Sequence, residues 1–170
     1  MNRLLLLRHA SATFGSPGIS DFDRCLSERG IAEAERLGAW LRQEGISPGK
    51  ILCSSAARAR QTLQGLGEPY ARHIPVEFSD QLYRTDAQGC RLLIARSDDC
   101  ETLMVVGHNP TLEDLLFESI SSGQPDLIRH AEATGMPQCA LAVLEFDGHY
   151  VPFANDTGHL AAFNTPDGQH

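Results

Sequence analysis

Short apolar runs alternate with helical patterns along the chain, and this alternation is the feature that most limits its possible folds. The runs Leu4–Leu7, Lys50–Cys53 and Thr102–Val106 have the length and composition of buried strands. A weaker strand is predicted over Pro75–Phe78. Strands that alternate with helices favour a mostly parallel sheet covered on both faces. We therefore expect an α/β protein built as a three-layer α/β/α sandwich.

Four helices are predicted around these strands. Ser27 is a suitable N-cap for a helix that runs to about Gln43. Its predicted apolar face carries Ile31, Ala34, Leu37 and Leu41. The other three helices are predicted over residues 56–66, 87–96 and 110–120, and Pro110 suits the first turn of the last one.

The C-terminal part of the chain carries weaker patterns. Residues 10–26 and 121–137 are predicted to be loops. Ala140–Phe146 and Tyr150–Phe153, joined by Asp147-Gly148, predict a hairpin that adds antiparallel edge strands. The polar tail from about residue 155 is predicted to be mobile. The 170 residues fit a single domain over residues 1–170.

The composition excludes several classes of function. A net charge of −8 and a pI of 5.3 argue against a nucleic acid or an anionic membrane as partner, because both need a basic surface. The run Leu4–Leu7 is too short for a signal peptide or a membrane span. The five cysteines are widely spaced and contain no CxxC pair, which is typical of reduced thiols rather than a disulfide framework. We expect a cytoplasmic protein without a cofactor.

Three of the predicted strands end in residues that can carry chemistry. The first ends in Arg8 and His9, the second leads through two serines to Arg58, and the strand 102–106 is followed by His108. In folds of this class, ligands bind beyond the carboxyl ends of the strands. If the three strands are parallel neighbours, two arginines and two histidines meet in one pocket.

Such a pocket suits phosphate. Arginine binds phosphate oxygens with a planar fork, and a neutral histidine can attack phosphorus to form a covalent intermediate. The nucleophile needs one unprotonated ring nitrogen and the other held by a backbone carbonyl. Arg8, Arg58 and a protonated His108 would neutralise the phosphoryl oxygens.

Each piece alone also has a structural interpretation. Arg8 and His9 could be a satisfied strand end, Arg58 could lie on a solvated helix face, and the His108-Asn109 pair could cap a helix. A metal site is disfavoured because no carboxylate or cysteine lies at ligand spacing from the histidines. The combination of all three pieces favours the phosphate pocket.

The same residues resemble the histidine phosphatase superfamily, which is phosphoglycerate mutase-like, and within it the SixA-like phosphohistidine phosphatases. "LLLLRHASA" (4–12) is similar to the RHG motif of that family, in an RHA form. "SSAARARQT" (54–62) resembles the family's S-P-x-x-R-A-x-Q-T stretch, with Ser55 in place of proline. "VVGHNP" (105–110) resembles its second-histidine motif. Similar stretches at 23–41 and 136–146 extend the resemblance over nearly the whole chain.

The resemblance implies roles for individual residues. His9 matches the nucleophile that becomes phosphohistidine, and Arg8 and Arg58 match the phosphate-binding arginines. His108 matches the second histidine, which binds and polarises phosphate, and Asn109 would supply a further backbone or side-chain contact.

Two departures from the family pattern stand out. Larger members carry an asparagine after the nucleophile, where this chain has Gly15, so Ser11 or Thr13 would replace that contact. The proton-donating carboxylate of those enzymes has no clear match. Asp86 is our choice for it, ahead of Asp80 and Glu77, although Asp86 also lies at a predicted helix start, where a carboxylate is a good cap.

These departures shape the expected function. Phosphohistidine leaves as imidazole and depends less on a proton donor than a phosphate ester does. The short chain also lacks long insertions that would cover the pocket. We expect a phosphohistidine phosphatase that acts on a phosphorylated protein, such as a histidine phosphotransfer domain. A general phosphomonoesterase for small substrates and a non-catalytic phosphate-sensing or protein-binding module are the alternatives.

Overall fold

The architecture is an α/β sandwich in which a mixed sheet lies between two layers of helices, as predicted from the sequence. It is seen in a computed structural model that describes residues 1–97, 99–151, 154, 157–166 and 168–169. The strands are β1 (Arg3–Arg8), β2 (Lys50–Ser54), β3 (Val76–Ser79), β4 (Thr102–Gly107), β5 (Ile120–Gly123), β6 (Leu141–Phe146), β7 (Gly158–Thr165) and β8 (Gly168–Gln169).

The helices follow the predicted alternation with the strands. They are α1 (Glu28–Gln43), α2 (Ala57–Gly65), α3 (Gln81–Arg84), α4 (Ala87–Ala95), α5 (Thr111–Ser119) and α6 (Pro125–Thr134). Ser27 caps α1 as expected, since its side chain accepts a hydrogen bond from the Gly30 amide. None of the helices in the described part of the chain is long and apolar enough to span a bilayer.

The sheet has the strand order β3-β2-β4-β1-β6-β7-β5, and β8 pairs with β7. The pairs among β3, β2, β4 and β1 are parallel, whereas β6 is antiparallel to both β1 and β7. The carboxyl ends of β1, β2 and β4 therefore lie at one edge of the sheet. An antiparallel strand begins where its parallel neighbours end, so the segment before β6 reaches the same edge.

Both faces of β1 are covered by helices. The side chains of Leu4 and Leu6 join a core with α4, α5 and α6, while Leu5 and Leu7 join a second core with α1 and α2. All four leucines are fully buried, because successive side chains of a strand point to opposite faces of the sheet. The apolar run at the start of the sequence is therefore the central strand of a two-sided core.

The start of α1 packs directly on the loop that follows β1. Gly30 lies so close to Ser11 that a Cβ atom at this position would collide with the Ser11 carbonyl. Ile31, which was expected on the apolar face of α1, is half exposed, whereas Glu33 is buried beneath the loop. The absence of a side chain at Gly30 lets the helix approach the loop backbone.

The predicted hairpin at the C-terminal end is wrong in its second strand. β6 pairs with β1 and β7, and the Tyr150 backbone N–H donates to the Met1 carbonyl at 2.8 Å instead of pairing with β6. The Tyr150 side chain is buried, so the chain turns into the core after Asp147-Gly148. Phe153 and Asn155 lie outside the described residues. Within the tail that was predicted to be mobile, Gly158–Thr165 forms β7, which pairs with β6 and, at its two ends, with β5 and β8.

A second correction concerns residues 121–137, which were expected to be a loop. They contain most of β5 and all of α6. Pro125 lies in the first turn of α6, a position that proline favours, and Leu127 and Ala131 supply a narrow buried stripe. The remaining positions of α6 are mostly polar and exposed, which explains why the apolar pattern was too sparse to predict a helix.

The contact between Gly30 and Ser11 yields a stability prediction. We expect Gly30→Ala to lower the free energy of unfolding by about 1–3 kcal/mol, because the added methyl group forces the helix and the loop apart. This is opposite to the usual effect of alanine in a helix. Urea unfolding followed by circular dichroism measures the change. Gly15→Ala is the control, since no atom lies within 4 Å of the added Cβ and stability should not fall. An equally stable Gly30→Ala variant would contradict the packing described here.

Candidate active site

The polar residues predicted at three strand ends do lie together. His9 follows β1, His108 follows β4, and Arg58 lies in the first turn of α2, just after β2. The backbone N–H of His9 donates to the Gly107 carbonyl at 3.0 Å, which ties the first two strand ends together. The two histidine rings lie 5.1 Å apart between centroids.

The contacts of His9 define its tautomer. The Arg58 Nε–H donates to His9 Nε2 at 3.1 Å, and because a guanidinium cannot accept a hydrogen bond, Nε2 must carry a lone pair. The proton therefore lies on Nδ1, which donates to the Ala10 carbonyl at 2.8 Å. This is the arrangement that the sequence predicted for a histidine nucleophile.

His9 is neutral at neutral pH. Burial lowers its pKa to about 4, and the positive charges of Arg58 and Arg8 act in the same direction. The hydrogen bond to the Ala10 carbonyl opposes this shift but does not outweigh it. An uncharged His9 keeps the Nε2 lone pair available above that pKa.

His108 is also buried and neutral. Its pKa is lowered to about 3, mainly by burial and then by the neighbouring His9 and Arg58. The His108 Nε2 atom lies 2.8 Å from the Ser54 hydroxyl, and Nδ1 has no hydrogen-bond partner among the described residues. Burial beside other cations therefore disfavours a further positive charge on His108, and its protonation in the presence of phosphate stays a prediction.

Arg8 reaches the segment that precedes β6. One of its terminal nitrogens donates to the Met136 carbonyl at 2.6 Å, and its Nε–H is buried with no partner among the described residues. Burial lowers the pKa of Arg8, while the charge of Glu113 opposes that shift. The Cys139 amide donates to the His9 carbonyl at 3.0 Å, so the same segment also fixes the backbone of His9.

Arg58 is held by a residue that the sequence did not indicate. Its terminal nitrogens donate to the Asp21 backbone carbonyl at 2.6 Å and to the Asp21 carboxylate at 3.0 Å. The Tyr83 hydroxyl donates to the same carboxylate at 2.7 Å. This hydrogen bond and the contacts with Arg24 and Arg58 lower the Asp21 pKa to about 2. Asp21 is therefore an ionised acceptor at neutral pH and has no proton to donate.

Tyr83 is the second residue that the sequence did not indicate. Its ring meets the His108 ring edge-on at 5.4 Å, and the Arg58 guanidinium carbon lies 5.6 Å from its centroid. Tyr83 belongs to α3, which has only four residues, and Asp21 begins a 3-10 helix of three residues. Elements this short carry no periodic pattern in the sequence. The local signal for the 3-10 helix is Ser20, which is its N-cap.

The two residues proposed to replace the missing asparagine are engaged elsewhere. The amide and hydroxyl of Ser11 donate to the buried Glu33 carboxylate at 2.9 and 3.0 Å. Arg29 binds the same carboxylate at 2.7 Å. The Thr13 hydroxyl donates to the Cys25 carbonyl at 3.2 Å. Ser11 therefore stabilises the loop after β1 through contacts within the protein.

Asn109 lies beside the site and supports it. Its side-chain amide donates to the Glu113 carboxylate and to the Met136 carbonyl, both at 3.0 Å. The Met136 carbonyl therefore accepts hydrogen bonds from Arg8 and Asn109 together. With both amide protons in use, the side chain has no free donor for an anion.

The three carboxylates considered as proton donors have other surroundings. Asp86 caps α4, where it accepts a hydrogen bond from the Gly89 amide at 2.9 Å. Glu77 is exposed on β3 and pairs with Lys50 at 3.5 Å, and Asp80 is exposed at the start of α3. In the described part of the chain, no hydrogen bond or ion pair joins these carboxylates to His9. The structural alternative noted for Asp86, a helix cap, is the role it has.

No group of three or more His, Cys, Asp or Glu side chains among the described residues is placed to hold a metal ion. The donors that converge on the pocket are instead the guanidinium groups of Arg8 and Arg58 and the imidazole of His108. They can bind an anion that has several oxygens, next to the lone pair of His9.

Several known proteins are similar to this chain in sequence and fold. A protein of uncharacterized function from Mycobacterium leprae is 34% identical over 164 residues, which cover 94% of this chain and 99% of that protein. A crystal structure from Agrobacterium tumefaciens, provisionally assigned as the phosphohistidine phosphatase SixA, is 40% identical with a TM-score of 0.75. The match covers 85% of this chain and 91% of that one.

A second structure with the same provisional SixA assignment comes from Nakamurella multipartitia. It is 30% identical, has a TM-score of 0.79, and matches 98% of this chain and 97% of its own. The sequence profile of the histidine phosphatase superfamily (branch 1) matches residues 4–90, which include β1, α1, β2 and α2. The chain therefore belongs to branch 1 of the histidine phosphatase superfamily.

Proposed function

We propose that this phosphatase hydrolyses phosphohistidine on proteins through a covalent phosphoryl-His9 intermediate. The observation that carries the proposal is the hydrogen bond from Arg58 Nε to His9 Nε2, because it leaves the lone pair of His9 on the nitrogen that faces the phosphate-binding groups. Membership of the superfamily and similarity to the SixA structures support the same reaction class.

The first step is transfer of the phosphoryl group to His9. Arg58 releases Nε2 and binds a phosphoryl oxygen, together with Arg8 and an N–H of His108. The Nε2 lone pair forms a bond to phosphorus while the bond to the substrate imidazole breaks. The electron pair of that bond stays on the departing nitrogen. The Nδ1 proton of His9 remains bonded to the Ala10 carbonyl, which stabilises the charge that the ring gains.

The second step releases phosphate. A water oxygen bonds to phosphorus, the bond from phosphorus to Nε2 breaks, and its electron pair returns to Nε2 as the lone pair. The two protons of the water leave with the phosphate and exchange with solvent. His9 is then neutral again, which agrees with a pKa of about 4.

The surroundings of the carboxylates favour an N–P bond over a phosphate ester. A phosphohistidine that carries a proton on its other ring nitrogen leaves as neutral imidazole and needs no acid, whereas an alkoxide needs a proton donor. Asp21 is the carboxylate in contact with Arg58, and its pKa of about 2 leaves it ionised. The site thus suits a good leaving group, and a small phosphate ester would react more slowly.

Replacement of His9 tests the nucleophile. We expect His9→Ala to reduce turnover of a phosphohistidine protein by at least about 10³-fold, because the covalent route is lost. Rapid quenching with ³²P-labelled substrate and mass spectrometry should find labelled His9 in the unmodified protein only. His73→Ala, at an exposed histidine, should keep both turnover and label. Labelled His9→Ala protein would show that another residue accepts the phosphoryl group, and faster hydrolysis of phosphate esters than of phosphohistidine would refute the proposed substrate.

The pH dependence follows from the two buried histidines. Their pKa values of about 4 and about 3 lie below the usual 6.5, so the unfolded chain binds more protons below pH 6.5 than the folded protein does. We therefore expect the free energy of unfolding to fall as the pH decreases from 6.5 towards 4. Urea unfolding across this range measures the slope, and His9→Gln should make it shallower. A slope unchanged by His9→Gln would contradict a lowered pKa for this residue.

Removal of the Arg58 charge tests its link to His9. In Arg58→Met we expect the His9 pKa to rise above 4, because a repelling guanidinium is lost, and tungstate binding to weaken at least about tenfold. NMR titration of the His9 ring and calorimetry with tungstate measure the two effects. Arg60→Met is the matched control on the exposed face of the same helix and should change neither. Equal tungstate affinity in Arg58→Met and the unmodified protein would remove Arg58 from the anion site.

A further inference from the structure

A second cavity, of about 540 Å³, lies between α3 and α4 on the helical layer opposite to α1 and α2. We call it the α3–α4 groove. The residues of its lining that matter here are Asp80, Arg84, Gly89, Leu92, Leu93 and Arg96. Neither Arg84 nor Arg96 has a part in the proposed chemistry.

The floor of the groove is formed by one face of α4 together with Arg96, the residue that follows the helix. Gly89, Leu92, Leu93 and Arg96 are spaced as i, i+3, i+4 and i+7, the pattern of a helix face that packs against another segment. Leu93 is partly buried against the core, whereas Leu92 is 51% exposed. Gly89 lies against the Thr85 side chain, whose hydroxyl occupies the position that a Cβ atom would take. The face therefore has the pattern of a contact surface with a side chain of leucine still in solvent.

The charge of the groove is opposite to that of the whole protein. Arg84 and Arg96 are exposed, and their guanidinium groups make no hydrogen bond or ion pair with any residue that the structure describes. Most other arginines, such as Arg29 and Arg72, are paired with carboxylates. Asp80 is the acidic residue of the lining, so the groove carries a net positive charge on a chain of net charge −8. Two unpaired guanidinium groups in such a chain suit acidic side chains of a partner.

The groove begins beside the phosphate pocket. Three consecutive residues of α3 point in different directions. Leu82 is buried in the core, Tyr83 contacts His108 and Asp21 in the pocket, and Arg84 lines the groove. Because adjacent Cα atoms are about 3.8 Å apart, a polypeptide whose phosphohistidine enters the pocket has its flanking residues within reach of the groove.

We propose that the α3–α4 groove binds an acidic segment, with an apolar side chain for Leu92, that flanks the phosphohistidine of the protein substrate. This inference rests on the proposed function, and it identifies the surface that recognises the protein substrate. The two arginines bind carboxylates of the segment, and the exposed Leu92 receives the apolar side chain. The segment thereby lowers KM, while the phosphoryl group and kcat depend on the separate pocket.

Two phosphohistidine peptides of equal length test the proposal. One has Glu-Glu-Leu on each side of the phosphohistidine, and the other has Gln-Gln-Ala. Free phosphohistidine is the third substrate. We expect the acidic peptide to have a KM about tenfold lower than the neutral one. The double variant Arg84→Glu/Arg96→Glu should remove this difference with kcat unchanged, and its kcat/KM for free phosphohistidine should stay within twofold. Leu92→Ser should raise the KM only of the peptide that contains leucine.

Matched controls lie on α1, on the opposite helical layer. Arg36→Glu reverses the charge of another exposed arginine, and Ile31→Ser alters another half-exposed aliphatic residue. Both should keep the preference for the acidic peptide. The proposal is overturned if the unmodified protein shows no such preference, or if the arginine double variant retains it.

A binding measurement separates this proposal from the proposed function. The unphosphorylated acidic peptide, titrated into ¹⁵N-labelled protein, should shift the amide signals of α3 and α4 and lose affinity in the arginine double variant. Shifts at α3 and α4 without hydrolysis of any phosphohistidine would refute the proposed reaction and support the groove. Hydrolysis without those shifts would support the reaction and refute the groove.

Discussion

β1 is hydrogen-bonded on both sides, to β4 and to β6, and its four leucines are completely removed from solvent. Burial of one leucine side chain contributes about 1.5–3 kcal/mol, so this strand is among the parts of the sheet that are hardest to displace. Arg8 is the last residue of this strand, and His9 follows it directly. Because the strand is hard to displace, it holds these two side chains in fixed positions.

The protonation of the histidines in the pocket also depends on residues that are held rigidly. The Nε–H group of Arg58 fixes the tautomer of His9, and the Ala10 carbonyl holds the remaining ring proton. Ala10 and the buried residues of α2 belong to the same core, the one that also contains α1, so both contacts are fixed by that core. Burial then keeps His9 and His108 uncharged at neutral pH, so the positive charge of the pocket resides on the arginines.

Strong local patterns in the sequence predicted the parallel strands and the residues at their ends. The apolar runs of β1, β2 and β4 predicted a sheet, and the polar residues after them predicted a shared pocket, because parallel strands end at one edge. The order of strands β6 and β7 could not be predicted in the same way, since the true partner of β6 lies in a polar segment. Tyr150, whose pattern suggested a strand, is instead held by Met1 and by the core.

Two residues of the site could not be predicted from the sequence, and the physical reason is the same for both. Asp21 and Tyr83 reach the pocket from elements of three and four residues, whose positions depend on tertiary contacts rather than on periodicity. Asp86 shows the converse case. Its position at the start of a helix suggested two roles, and the local one, a cap on α4, explains its contacts. Charge and residue type identified the strand-end residues, whereas the residues that orient them required the three-dimensional structure.

The contact of Asp21 with Arg58 has a consequence for which anions the pocket retains. Two of the nitrogens that an incoming anion would use already hold the carbonyl and carboxylate of Asp21. That carboxylate is part of the same chain, so it competes at a high effective concentration. A singly charged anion such as chloride or acetate offers Arg58 no more than Asp21 does. In the phosphate site that we propose, a phosphoryl group with two charges and three oxygens would gain more from Arg8, Arg58 and His108 together, so the need to displace Asp21 from Arg58 would favour phosphate over monovalent anions.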